Sequence, residues 1–400
     1  MSRPLGGIRI LAVSQFGAGP YGTLLLADLG AEIIKIEDPA SGGDVSRSVP
    51  PPGMQEDIEA DSIYFQCLNR NKRSLRLNLA EPEGQAIFHR LLRISHAVFN
   101  NLRGDVPARL GLTYETLRVH NPAIVCCSLS AFGRHGPQAS LPGYDPLLQA
   151  SEGYMSLTGG PGEPPTKCGV SVIDFAAGST AALGLMAGIW SAQKTGVGCD
   201  VDVSLRDTAI SMLNYYAVWY LNRGVVPERL ANSSHALLVP AQTFRTSDGY
   251  LAIFCGKEKF WRELCAILSR PELAGDSRFR DFEQRDKNKT ALLAILEPLL
   301  ASRTTAEWVA LMTGKVPCAP VRSLAQALDD PVLRSENMIV EVEHSALGVI
   351  REAGCPIKIS GDEPELHPAP ALGQDTDEIL SAYLGYAPQQ IQSLRARGIV

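Results

Sequence analysis

Short apolar runs rich in β-branched residues alternate with helical periodicity through the first half of the chain. Residues 8–13 read as a buried strand, 21–29 as a helix and 32–37 as a second strand, which together make a βαβ unit. Pro82 stands where the first turn of a helix falls, Ile87, Leu91 and Ile94 recur at i, i+4 and i+7, and residues 96–99 resume a strand. A short helix over 114–119, an apolar run over 123–129, a long helix after Asp174 and a strand over 200–205 continue the alternation. The pattern predicts an α/β fold, with a mostly parallel sheet covered by helices on both faces. Near residue 206 the character changes. Residues 208–222 are helical and aromatic-rich (Tyr215, Tyr216, Trp219, Tyr220), and a loop-like segment follows, so 207–225 is read as a linker. A strand over 250–255 and helices over 257–268, 287–301 and 305–313 predict a smaller α+β unit spanning 226–330. Two strands, 338–343 and 348–359, and helices starting near Asp375 and Pro388 complete the chain.

Composition narrows the partners. At 400 residues the chain has room for two or three domains of about 100–200 residues each. The 37 Lys+Arg against 43 Asp+Glu leave a net charge of −6 with no basic block, which argues against a nucleic-acid partner. The uncharged run 175–193 reaches the length of a membrane span. Gly178, Ser179, Thr180, Gly184, Gly188 and Ser191 dilute it, so it reads as a buried helix and no membrane association is expected. The N-terminus lacks a signal-length apolar region. Nine cysteines without C-x-x-C spacing suit reduced thiols in a cytoplasm better than a disulfide framework or a zinc site, and no metal site is expected.

Two features carry candidate chemistry. Gly17-Ala18-Gly19-Pro20-Tyr21-Gly22 fits the glycine-rich turn of a dinucleotide fold, with Glu37 ending the next strand, so an NAD(P)-dependent oxidoreductase is one reading. Pro20 counts against it, because it removes a backbone N–H from the turn that should face a pyrophosphate. Asp174 lies between a strand-like run and a small-residue helix. It is either the N-cap of that helix or a carboxylate positioned there to attack a thioester carbonyl.

The order and spacing of several segments resemble the class III CoA-transferases, the family that includes formyl-CoA transferase and the carnitine CoA-transferases. They are Ala18-Gly19-Pro20, residues 34–37 with Gly43-Asp44, residues 71–74, residues 109–112, Gly143-Tyr144-Asp145, Asp174, Asp202-Val203-Ser204, residues 316–320 and residues 376–378. The resemblance runs over nearly the whole chain. It implies a Rossmann-like large domain built from 1–206 and 331–400, a smaller domain inserted between them, and an interlocked homodimer. It implies transfer of CoA from an acyl-CoA, succinyl-CoA being favoured, to a small carboxylic acid, with Asp174 as the covalently acylated residue and no further cofactor. By the same resemblance, Ala18, Lys72, Leu77, Asn101, Leu102, Arg109 and Tyr144 belong to the CoA site, and Gln15 and His235 border the acceptor acid. Formyl-CoA transferases carry glutamine at the position of Gly17, a basic residue at Asp38 and a covering glycine-run loop, and these departures argue against an oxalate-specific enzyme. A related branch racemises 2-methylacyl-CoA with a histidine where this chain has Tyr144, and tyrosine, with an ordinary pKa of about 10, is a poor base at neutral pH.

Overall fold

The computed structural model describes residues 3–50 and 62–400. Six strands form one parallel sheet: β1 (Arg9–Val13), β2 (Glu32–Glu37), β3 (Lys72–Arg76), β4 (Ala97–Asn100), β5 (Val125–Ser130) and β6 (Cys199–Ser204), in the order β3-β2-β1-β4-β5-β6. The strands read as continuous apolar runs because helices cover both faces, and Ile10, Leu11, Ala12, Ile33, Ile34, Val98 and Phe99 have no exposed surface. The order is that of a doubly wound fold whose connections leave in opposite directions between β1 and β4. One face packs on helix Pro82–Leu92 and the C-terminal helices Thr376–Leu384 and Pro388–Ala396 through Ile87, Phe88, Leu91, Ile379 and Ile391. Asp375 ties the C-terminal segment to β3, its carboxylate accepting from Ser74 N at 2.8 Å.

Helices Ala18–Asp28 and Val172–Thr195 lie together on the other face. The second is long and apolar enough to cross a membrane, yet Ala177, Ala181, Leu185 and Ile189 are buried inside the protein. It is not buried all round as expected: Leu183 and Trp190, seven residues apart, are 72% and 62% exposed.

The chain divides into two compact units, 1–152 with 169–218 and 331–400, and 153–168 with 219–330. The first also holds an antiparallel hairpin, Ile339–His344 with Gly348–Ala353. The second has a three-stranded antiparallel sheet, Ala241–Arg245, Tyr250–Phe254 and Cys318–Pro320, over a core that includes Trp261, Phe279, Leu292 and Trp308. The stretch read as a linker is largely helical, Leu205–Met212 and Tyr215–Arg223, with a left-handed Asn214 (φ 43°) between the two helices.

Candidate active site

Two cavities open at the carboxyl ends of the strands, beside the point between β1 and β4 where the topology leaves a crevice. The first, about 240 Å³, is walled by Ser14 and Gln15 after β1, Glu37 and Asp38 after β2, Leu77 and Leu79 after β3, and Leu102 and Leu110. The second, about 250 Å³, is walled by Gln15 to Ala18, Asn101 to Arg103, Ser130, Gly143, Tyr144 and Asp174. Gln15 and Leu102 belong to both walls, so the cavities adjoin as one groove.

Asp174 reaches the groove because two helices cross at glycine. A Cβ on Gly22 would stand 2.4 Å from the Gly178 carbonyl oxygen, and one on Gly178 would stand 2.4 Å from that of Ala18. Only glycine at both positions permits this approach, which brings the Asp174 carboxylate within 3.3 Å of where a Gly17 side chain would begin. Gly19 likewise makes room, here for Asn101, since a Cβ would stand 2.8 Å from its side chain. The glycines of the turn thus serve close packing around the cavity that holds Asp174. The N–H groups of Ala18 and Gly19, at the start of their helix, have no acceptor within it.

Asp174 is not the N-cap. It is the third residue of its helix, and the N-cap Ser171 makes no side-chain bond. The cap comes from elsewhere: Asp145, 1% exposed, accepts from Ile173 N at 2.8 Å and Asp174 N at 3.2 Å, and Gln149 donates to its other oxygen at 2.6 Å. Burial, and then the negative charge of Asp145, raise the Asp174 pKa to about 6. Among the described residues no cation pairs with Asp174. At neutral pH it is ionised and more basic than an ordinary carboxylate, which suits nucleophilic attack.

The structure brings Gln15, Ala18, Leu77, Asn101, Leu102, Tyr144 and Asp174 to the groove walls. Lys72 is a correction. It is buried, and its ammonium donates to Pro20 O, Leu68 O and Asn69 Oδ1 at 2.8–3.1 Å; burial pushes its pKa well below the usual lysine range. Arg109 is a second correction, being 71% exposed, 3.6 Å from Asp105 and outside both walls, whereas Arg103 lines the cavity that holds Asp174. Asn101 spends its side-chain amide on the Gln15 backbone. His235 belongs to the second unit. Its Nδ1 accepts from the amides of Leu237 and Leu238, which leaves the proton on Nε2.

Sequence reasoning noted Asp145 only within Gly143-Tyr144-Asp145 and gave it no role; its signal was an acid directly before a proline at a helix start. It missed Tyr64, whose hydroxyl is 4.0 Å from the same Gly17 Cβ position. Burial first, then the charges of Cys67, Asp174 and Asp44, raise its pKa and keep it a hydroxyl donor.

The family model for CoA-transferase family III matches residues 5–376. The chain is 34% identical over 400 residues to mouse succinyl-CoA:glutarate CoA-transferase, covering all of this chain and 90% of the relative. It is 35% identical over 375 residues to acetyl-CoA:oxalate CoA-transferase from Acetobacter aceti, covering 93% of each. A crystal structure of a CaiB/BaiF family protein from Brucella suis superposes with a TM-score of 0.82 at 31% identity, covering 96% of this chain and all of that one. Whole-length likeness to named CoA-transferases sets aside the nicotinamide and racemase readings, and the chain belongs to CoA-transferase family III, enzymes that move CoA between an acyl-CoA and a carboxylic acid.

Proposed function

We propose that Asp174 is the nucleophile of CoA transfer, and that a succinyl-CoA donor and a small dicarboxylic acceptor are its substrates. The observation that carries this reading is a carboxylate set in the groove wall with a raised pKa and no counter-cation among the described residues. The carboxylate adds to the donor thioester carbonyl and the C–S bond breaks, giving a mixed anhydride and CoA thiolate. The thiolate attacks the aspartyl carbonyl, releasing the first acid as its carboxylate and leaving an aspartyl-CoA thioester. The acceptor carboxylate attacks that thioester, again forming an anhydride and freeing the thiolate. Attack of the thiolate on the acceptor's acyl carbon yields the new acyl-CoA and restores Asp174. Each step exchanges groups of similar transfer potential, so the protein's task is alignment, donors for developing oxyanions and exclusion of water, with no cofactor. The N–H of Ala18, in the cavity wall at the start of its helix, and the Tyr64 hydroxyl, beside the same Gly17 position as the Asp174 carboxylate, are candidates for such donors.

The adenosine end of CoA fits the first cavity, against Leu77 and Leu102, with the thioester directed through Gln15 to Asp174. The succinyl-CoA donor follows the name of the mouse relative, and the dicarboxylic acceptor follows the names of both relatives, glutarate in one and oxalate in the other. The exposed Leu183 and Trp190 support a partner copy, as an interlocked homodimer supplies, and the nine cysteines, read as reduced thiols, support the cytoplasm. Incubation with succinyl-CoA followed by hydroxylamine or borohydride, read by peptide mass spectrometry, should mark the Asp174 peptide. A mark elsewhere, or none, overturns the mechanism.

A further inference from the structure

The segment from Ser14 to Phe16 walls both cavities, and side chains hold its backbone from two sides. Lys35 Nζ donates to Ser14 O at 2.5 Å. Asn101 accepts from Gln15 N at 2.9 Å and donates to Gln15 O at 2.8 Å, and Asp44 Oδ1 accepts from Phe16 N at 3.0 Å. Behind the turn Lys35 and Asp44 form an ion pair at 2.7 Å, with side-chain exposures of 0% and 1%. Ser46 adds two donors to the Asp44 carboxylate, from N at 2.9 Å and Oγ at 2.7 Å.

Two features of this arrangement lack a reason in the fold. Lys35 interrupts the apolar run of β2, a position where an aliphatic side chain would serve the sheet as well, since a buried ion pair is rarely more stabilising than apolar packing. Phe16 has φ 66°, the left-handed region that disfavours residues with a Cβ and persists only where the surroundings over-determine it. The two explain each other: the pair supplies a fixed buried acceptor for the Phe16 N–H, and the next residue is Gly17, against Asp174.

We propose that Asp44, neutralised by Lys35, is a positioning residue for CoA transfer: it holds Phe16 in the left-handed conformation and so fixes the wall that faces the nucleophile. The proposal rests on Asp174 being that nucleophile. Asp44 also stands in the wall of the first cavity, but its side chain is only 1% exposed, so the effect of its carboxylate on rate passes through the backbone of residues 14–17.

The test compares two double variants by exchange of labelled succinate into succinyl-CoA. Lys35→Met with Asp44→Asn removes both charges and keeps the acceptor, so kcat should stay within about threefold. Lys35→Met with Asp44→Leu removes the acceptor, and kcat should fall on the order of 10–100-fold while the KM for succinyl-CoA changes less, as expected when a wall shifts by about 1 Å. Wild-type kcat in a folded Leu variant, or equal losses in both variants, overturns the proposal. Should the Leu variant fail to fold, Phe16→Gly and Phe16→Ala decide it, since both lack the ring and differ in backbone freedom. Glycine takes the left-handed conformation freely and alanine is strained in it, so Phe16→Gly should melt at or above Phe16→Ala and exchange faster. Exchange by Phe16→Ala as fast as by Phe16→Gly overturns the proposal. Asp174→Ala, assayed alongside, separates the failures: retained exchange there sinks the nucleophile and the clamp together, whereas its loss beside fully active clamp variants sinks the clamp alone.

Discussion

Two carboxylates flank the turn after β1, and the protein treats them in opposite ways. Burial works against the charge of Asp44, but Lys35 at 2.7 Å and donors from Phe16 and Ser46 outweigh it and hold its pKa below the usual range. Burial works equally against Asp174, and there the nearest charge is another acid, so the pKa rises to about 6. The same functional group has its pKa lowered in one place and raised in the other because the partners differ. A carboxylate that accepts four hydrogen bonds, one of them from an ammonium, has little left to attack with. One left without a cation costs stability and keeps a nucleophilic oxygen.

The comparison breaks most completely at Asp174. Asp174→Asn should lower transfer on the order of 10⁴-fold or more, measured by the same exchange assay. Its stability effect has a defined sign. The folded pKa of about 6 lies above the ordinary value, so the group's favourable contribution is fully present below about pH 4 and is lost as pH rises through 6. Asp174→Asn should therefore be more stable than the parent by about 1–3 kcal/mol at pH 8 and no more stable at pH 4, checked by denaturant melts at both values. A variant less stable than the parent at pH 8 would contradict the assignment.

A second way to disturb the pair is to part the helices. Gly22→Ala places a methyl where the Gly178 carbonyl stands, so it should cost about 1–3 kcal/mol and most of the activity, seen by melting and exchange.

Asp145→Asn is subtler. The amide oxygen still caps Ile173 and Asp174 while the neighbouring charge is gone, so the acidic limb of the kcat/KM profile, set near pH 6 in the parent, should move to lower pH. An unmoved limb would assign the whole shift to burial.

The smallest effect belongs to Arg109→Ala. It lies outside both cavity walls, so CoA affinity by calorimetry should change less than about twofold, in keeping with an exposed ion pair. A tenfold loss would return Arg109 to the nucleotide site.

Much of this protein was legible as a string. Apolar runs and period-3.6 patterning located β1, β2, β4 to β6 and both helices of the wall that holds Asp174, because parallel strands buried on two faces are apolar throughout and punctuated by glycine and proline. Asp174 stood out as a lone acid at the head of a small-residue helix, and family-wide order and spacing indicated the chemistry. Neighbours decided the rest. Lys72 and Arg109 look alike as cations in a sequence, yet one is sealed under helix Ala18–Asp28 and the other stands in solvent, since burial depends on which elements pack over a position. Asp145 and Asp174 are 29 residues apart, and Lys35, Asp44 and Phe16 come from three different segments. Charge, protonation and backbone conformation at a site are set by groups within a few ångströms. Proximity between distant segments exists only once the chain has folded, so the sequence alone supplied the candidate carboxylate and the tertiary structure supplied its raised pKa.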